Sequence, residues 1–333
     1  MTAATILPER GQCPTVFDTE AALIHEVKNG LARWPRSLAP WMFYDAYGSR
    51  LFERITALSE YYPSRIERQL LARFAEEIVA RLRPDLSQEL RVFELGAGTA
   101  VKTGILLEAA MRRHGRVTYA PCDISPEALD EACTSIELLL PALQLEPIVG
   151  DYVTHPPQLA RAKGTTLALY IGTSIGNFSP QAARAILCNL RAQMRGGDAL
   201  LLGTDMVKDE EILLAAYDDS EGVTAEFNLN ILRRLNRELG ADFDSGGFRH
   251  RVCWNRAASR IEMHLESLRE QCVRIPAAKL LLHFARGETI HTENSHKFSQ
   301  NAISALLDDA GFKIQQMWTD PLDWYALTLA GPR

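Results

Sequence analysis

Hydrophobic positions along the chain change their period several times, and the changes divide it. In Glu20–Asn29, Leu51–Leu58 and Ile66–Leu82, apolar residues return every three or four positions, which predicts amphipathic helices. A polar break containing a proline, Arg83–Glu89, follows. The pattern then alternates. Short apolar runs at Arg91–Leu95, Val117–Pro121, Leu145–Val149, Thr166–Ile171 and Ala199–Thr204 predict strands. Between them, Lys102–Arg113, Pro126–Leu139 and Pro180–Met194 carry helical spacing. Strands alternating with helices predict a parallel sheet covered on both faces.

After Asp205 the alternation stops. Asp209–Asp218 and Val223–Leu239 have helical spacing, and Phe248–Trp254, Arg260–Ser267 and Ala278–Ala285 read as strands after the turn Asp244-Ser245-Gly246-Gly247. A helix over Ser299–Ala310 and strands over Phe312–Trp318 and Trp324–Ala330 close the chain. The short link between the last two, Thr319–Asp323 with Pro321, makes them antiparallel neighbours. The expectation is an α/β core with an insertion before its last helix and hairpin.

Composition adds bounds. The 333 residues, 47% hydrophobic and 23% charged, fit an ordinary globular chain of two domains, or one large domain with an insertion. A net charge of −6 argues against nucleic acid or an anionic membrane surface as partner. Met1–Thr19 has no apolar core segment and does not read as a signal peptide, residues 1–20 read as a loose arm, and no run of apolar residues is long enough to span a membrane. The six cysteines, at 13, 122, 133, 188, 253 and 272, form no CxxC pair and match no zinc framework. They read as structural thiols of a reducing, cytoplasmic compartment, and a monomer is expected. His291-Thr292-Glu293-Asn294-Ser295-His296 is not spaced as HExxH, and no metal is expected.

Chemistry enters where the first strand meets its helix. Gly96-Ala97-Gly98 lets the backbone turn sharply and approach a ligand, but it lacks the third glycine of a dinucleotide loop. The second strand ends in Pro121-Cys122-Asp123, placing an acid about 25 residues past Gly98, where a carboxylate receives a ribose diol. Both a dinucleotide and S-adenosylmethionine fit this arrangement. Glu94 before the loop, the truncated glycine pattern and Gly150-Asp151-Tyr152 after the third strand favour the latter, since an acid followed by an aromatic can meet an adenine amino group and ring. A nicotinamide oxidoreductase and a non-catalytic S-adenosylmethionine sensor stay open on these residues alone.

Several segments together resemble the histidine-specific N-α-methyltransferases of ergothioneine biosynthesis. They include Glu60-Tyr61-Tyr62-Pro63-Ser64-Arg65, Glu94–Gly98 with Lys102-Thr103, Gly172–Asn177, Leu202–Asp205 with Lys208, Ala216–Asp219, Arg260–Met263 and Thr292–Phe298. The resemblance runs from about residue 40 to the C-terminus. It implies a class I (Rossmann-like) methyltransferase core, residues 66–206 plus 298–333, and an inserted α+β substrate-binding domain, residues 13–65 plus 207–297. It implies that Gly96, Lys102, Asp123, Asp151 and Tyr152 hold S-adenosylmethionine, with Tyr152 standing where the family has phenylalanine. Asn177 and Tyr217 match positions that bind the substrate carboxylate. Tyr61, Glu293 and Ser295 match those around the imidazole, Met263 matches a side chain that shapes the ring pocket, and Tyr44 matches a tyrosine near the amine and a proton relay. L-Histidine, trimethylated to hercynine, is the implied substrate; another aromatic amino acid such as tryptophan is the rival within the class. The residue types suit this chemistry, because an imidazole offers two nitrogens to a carboxylate and hydroxyls, whereas an indole offers one donor and would leave Glu293 poorly compensated.

Overall fold

Helix α1 (Thr19–Leu31) buries Leu23, Val27 and Leu31 at helical spacing. It is followed by the two-residue strand β1 (Arg36–Ser37), α2 (Ala46–Ala57) and α3 (Tyr62–Arg81). The Asp45 carboxylate caps α2 by accepting from the Gly48 N–H at 2.7 Å, satisfying a donor the helix itself cannot. The computed structural model describes residues 19–82, 89–150, 152, 159 and 164–333; the expected N-terminal arm up to residue 18, most of the polar break and Asp151 lie outside the described residues.

The α/β block runs β2 (Leu90–Leu95), α4 (Thr103–His114), β3 (Val117–Asp123), α5 (Pro126–Leu139), β4 (Gln144–Leu145), β5 (Ile148–Val149), β6 (Thr165–Tyr170), α6 (Pro180–Gln193) and β7 (Ala199–Asp205). The chain then forms α7 (Glu210–Ala215), α8 (Val223–Leu239), β8 (Phe248–Asn255), β9 (Arg260–Ser267), β10 (Gln271–Ile275), β11 (Leu280–Phe284) and β12 (Thr289–His296). It returns as α9 (Gln300–Asp309), β13 (Phe312–Thr319) and β14 (Tyr325–Pro332).

An eight-stranded sheet has the order β13-β14-β7-β6-β2-β3-β4, with β5 also against β3. Its strands from β7 to β4 are parallel, and β14 and β13 join antiparallel at one edge. Every residue of β2 and β7 is buried, as both covered faces require. Alternate residues feed two cores: Val92, Leu167, Leu201 and Leu327 pack on the α3–α4 side, and Phe93, Ala168, Leu200 and Ala326 on the α6–α9 side.

The inserted segment builds a second, four-stranded sheet, β1-β12-β9-β8, with β10 and β11 as a separate hairpin. The structure corrects the sequence reading in several places. The single strand expected over Leu145–Val149 is two short pieces, both pairing with β3. Strands β1, β10 and β12 were not anticipated; β12, Thr-Ile-His-Thr-Glu-Asn-Ser-His, is mostly polar and offers no hydrophobic alternation to detect. Helix α7 is shorter than the expected Asp209–Asp218.

Candidate functional site: a glycine loop facing an aromatic, acid-bearing pocket

At the end of β2 the chain turns through Gly96, whose φ of +67° is left-handed and whose added Cβ would lie 3.3 Å from the Tyr152 hydroxyl. The Gly96 and Ala97 N–H groups donate to the Cys122 carbonyl at 2.8 and 3.1 Å, tying the loop to the end of β3. The next residue on that strand, Asp123, accepts from the Gly98 N–H and the Ser125 N–H, each at 3.1 Å. Burial pushes its carboxyl above the usual range against those two bonds. The loop and the acid are therefore one rigid unit. Glu94 lies beneath it, buried, accepting from the Thr103 and Tyr119 hydroxyls, with its carboxyl pushed up to about 7 by desolvation. Tyr152 meets Tyr170 edge to face, ring centres 5.7 Å apart.

Lys102 opens the following helix, and its ammonium pairs with Glu67 of α3. Glu67 is fully buried and also accepts from the Gly172 N–H at 2.7 Å and the Tyr325 hydroxyl at 2.5 Å. One carboxylate thus ties α3, the Lys102 turn, the loop after β6 and β14. Sequence reasoning missed Glu67, because in α3 it reads as one more helical acid.

The loop after β6 carries Asn177 at the end of a short 3₁₀ turn, Ser174–Asn177. Gly172 and Thr173 both have positive φ, +82° and +61°. For a β-branched threonine that conformation is strained, and its hydroxyl is held by the Asp205 N–H at 3.0 Å.

The second sheet carries further candidate residues. Glu293 of β12 pairs in register with Met263 of β9, and Ser295 pairs with Ile261. The register shifts between His291 and Glu293, a bulge that places Glu293 and Ser295 on the same face as the buried Ile290. The Glu293 carboxylate accepts no hydrogen bond from any described residue, and desolvation pushes its pKa up to about 7, with Lys297 pulling the other way. Three tyrosines lie within reach of its charge: Tyr44, Tyr61 and Tyr217. Tyr61 contacts Phe52 and Tyr217 edge to face, each at 6.3 Å, while Tyr44 packs on Phe52 and Phe227, each at 5.7 Å. Burial, then Glu293 and more distantly Asp123, hold the Tyr44 phenol well above its usual pKa, so it is neutral at any physiological pH. Tyr44 thus senses the charge of both the strand-end acid and the pocket acid.

Tyr217 and Ser295 bond each other at 2.7 Å, and both accept from Lys297, at 2.8 and 2.9 Å. Lys297 pairs with Asp205 at 2.7 Å, and Asp205 also takes Lys208 at 2.5 Å and the Tyr62 hydroxyl at 2.8 Å. Burial brings the Lys208 ammonium down to about 8 despite this partner. Tyr62 belongs to this network, while no described residue is hydrogen-bonded to the Tyr61 hydroxyl. Sequence reasoning quoted Asp205, Lys208 and Lys297 only as parts of longer resembling segments; Asp-x-x-Lys at a strand end followed by Ser-x-Lys was the signal available.

The other face of this sheet gathers Cys253, Glu262 and His264, with ligand atoms within 4.8 Å of one another. Glu262 is already held by Asn255 and Arg260, each at 2.8 Å, which draws its carboxyl down to about 2 and leaves little of it for a metal ion. Among the described residues no helix is long and apolar enough to cross a membrane.

A parallel sheet whose first βα turn presents two glycines to a strand-end acid, interrupted by an inserted segment before its last helix and hairpin, fits the class I fold of S-adenosylmethionine-dependent methyltransferases. The sequence profile "Histidine-specific methyltransferase, SAM-dependent" matches residues 23–332, and the chain belongs to this family. It is 41% identical over 93% of its length to the histidine N-alpha-methyltransferase of Mycobacterium tuberculosis, covering 94% of that protein. It is 28% identical over 90% of its length to ergothioneine biosynthesis protein 1 of Neurospora crassa, covering 33% of that chain. An L-tryptophan methyltransferase of Psilocybe serbica is 26% identical over 97% of this chain and 96% of its own.

Proposed function

We propose that this protein transfers methyl groups from S-adenosylmethionine to the α-amine of L-histidine, three in succession, giving the betaine hercynine as an early step of ergothioneine biosynthesis. The observation that carries the reading is the Glu293 carboxylate, which accepts no hydrogen bond from a described residue and sits with Tyr44, Tyr61 and Tyr217 within reach of its charge. Family membership and the mycobacterial relative support the same substrate.

The cofactor side fits a ligand without phosphates. The left-handed Gly96 leaves room beside Tyr152, and Asp123, fixed by two backbone donors, keeps lone pairs for a ribose diol. Asp151 is the proposed adenine acceptor. Lys102, engaged with Glu67, supports the loop on which the cofactor's amino-acid end would rest. Bound there, S-adenosylmethionine supplies an electrophilic methyl on a sulfonium.

The chain's own residues then bind and orient. Asn177 and Tyr217 receive the substrate carboxylate. Glu293, Ser295 and Tyr61 hold the imidazole, and Met263 bounds the ring. The amine must be neutral to attack. Tyr44, kept neutral itself, acts as a hydroxyl relay for the departing proton rather than as a phenolate base. Rate enhancement rests on alignment of amine and methyl.

We divide the chain between a cofactor core, residues 66–206 plus 298–333, and a substrate domain, residues 13–65 plus 207–297. We propose a monomer in the reducing compartment of the cytoplasm. The deciding experiment is mass spectrometry of products after incubation with S-adenosylmethionine and each of the twenty amino acids. Trimethylated histidine is expected; methylation of tryptophan instead, or of no amino acid, overturns the reading.

A further inference from the structure

We infer that Lys297 is the counter-charge for the substrate carboxylate, acting through the Tyr217 hydroxyl as a positioning residue, while Ser295 donates to that tyrosine and keeps a lone pair for the ring. This rests on the histidine reading above.

Asp205 and the side chains of Lys297 and Lys208 are almost entirely withdrawn from solvent, and both ammoniums contact the one carboxylate. Tyr62 adds a neutral donor to it. Two cations share this one buried carboxylate; Asp320 also acts on Lys208 from farther off, whereas Lys297, wholly withdrawn from solvent, calls for a further compensating partner. Glu293 feels Lys297 but makes no hydrogen bond with it. An anionic ligand group beside Tyr217 would complete the balance, leaving Glu293 and Ser295 to pair with the ring.

Proton counting points the same way. An ammonium has three donors, and Lys297 directs them to Asp205 at 2.7 Å, Tyr217 at 2.8 Å and Ser295 at 2.9 Å. Both hydroxyls are therefore acceptors from Lys297 and keep only their own protons to give. Their mutual 2.7 Å bond consumes one of these. The other is left over as a donor, and a hydroxyl that accepts from an ammonium donates more strongly. A carboxylate is acceptor-only and matches that donor in every orientation, whereas a carboxamide brings two N–H groups and no charge. Tyr217, backed by Lys297, thus reads the acid function of an amino acid.

The test compares histidine with histidinamide as substrates of the parent enzyme and of Lys297→Met and Lys297→Gln, alongside S-adenosylhomocysteine affinity. In both variants Asp205 keeps Lys208 and Tyr62, so no carboxylate is stranded. The parent should prefer histidine by roughly 30-fold or more in kcat/KM, the scale of a charged hydrogen bond, and both variants should lose most of that preference through the KM for histidine. S-adenosylhomocysteine affinity should not change. A parent that uses histidinamide as well as histidine overturns the inference without any variant. So does a variant that binds S-adenosylhomocysteine normally and keeps the parent's preference. If only Lys297→Met loses it, the charge is not what reads the carboxylate, and the inference falls. A parent that methylates no histidine overturns the functional reading instead, and shows this before any variant is made.

Discussion

Glu293 and Met263 face each other as register partners on β12 and β9, one an unpartnered acid and the other a buried thioether. A ring between β12 and the aromatic cluster would meet a carboxylate and a soft apolar edge together. This pairing makes the sharpest test of specificity. Glu293→Ala should depress histidine methylation by roughly 30- to 150-fold in kcat/KM, the effect of losing a charged partner for a polar ring. The double variant with Met263→Val should gain tryptophan methylation by removing the acid that disfavours an indole and adding room. Steady-state kinetics on both amino acids check it; an unaltered histidine-to-tryptophan preference in Glu293→Ala would mean this acid does not read the ring.

The same carboxylate gives a pH signature. Its folded pKa of about 7 exceeds the ordinary 4.5, so the stability tied to its neutral form is fully present below 4.5 and is lost as pH rises through 7. Glu293→Gln does not titrate. The variant should match the parent in stability near pH 4.5 and exceed it above pH 7 by about 1–3 kcal/mol, allowing for the part of the group that reaches solvent. Glu94 titrates alike in both proteins and cancels. Thermal melting of the ligand-free proteins from pH 4.5 to 8 measures the difference, and a flat profile contradicts the burial of this acid.

On the cofactor side, Asp123→Ala should weaken S-adenosylmethionine binding by about 1.5–3 kcal/mol, the range for hydrogen bonds to a charged group. Calorimetry on the folded variant checks this. Unchanged affinity would remove Asp123 from the cofactor site.

Asn177→Ala should weaken histidine binding and leave S-adenosylhomocysteine affinity as it was, if Asn177, at the end of the turn that follows the strained Thr173, receives the substrate carboxylate as proposed. Titrating histidine into the protein–S-adenosylhomocysteine complex separates the two. A variant that loses both ligands together would assign Asn177 to the architecture of the loop.

Glu67→Gln tests a residue the sequence did not single out. It removes the charge that pairs with Lys102 and leaves a single acceptor oxygen for the Gly172 N–H and the Tyr325 hydroxyl. Stability should fall by about 2–3 kcal/mol, below the value for a fully buried pair because Lys102 is partly exposed. S-adenosylmethionine affinity should fall with it. Chemical denaturation and calorimetry report the two effects, and a variant unchanged in both shows that Glu67 does not brace the loop.

The sequence by itself determined the α/β core, the glycine turn and the acid at the end of the next strand. Each is a local pattern: a period of two or 3.6, a residue that tolerates positive φ, a side chain at a strand end. Helices α5 and α8 and strand β9 begin and end where periodicity places them. Family resemblance added the pocket residues by position, without saying how they come together. Tertiary structure decided that. Glu293 shares a face with Ile290 only because a bulge shifts the register of β12, and a strand's period of two would have put them on opposite sides. Glu67 meets Lys102, and Asp205 meets Lys297, across long stretches of chain, through the docking of α3 on the sheet and of the insertion on the end of β7. Such partners leave no periodic trace, because each is an ordinary charged residue until the fold withdraws it from water, and only then does the pairing become obligatory.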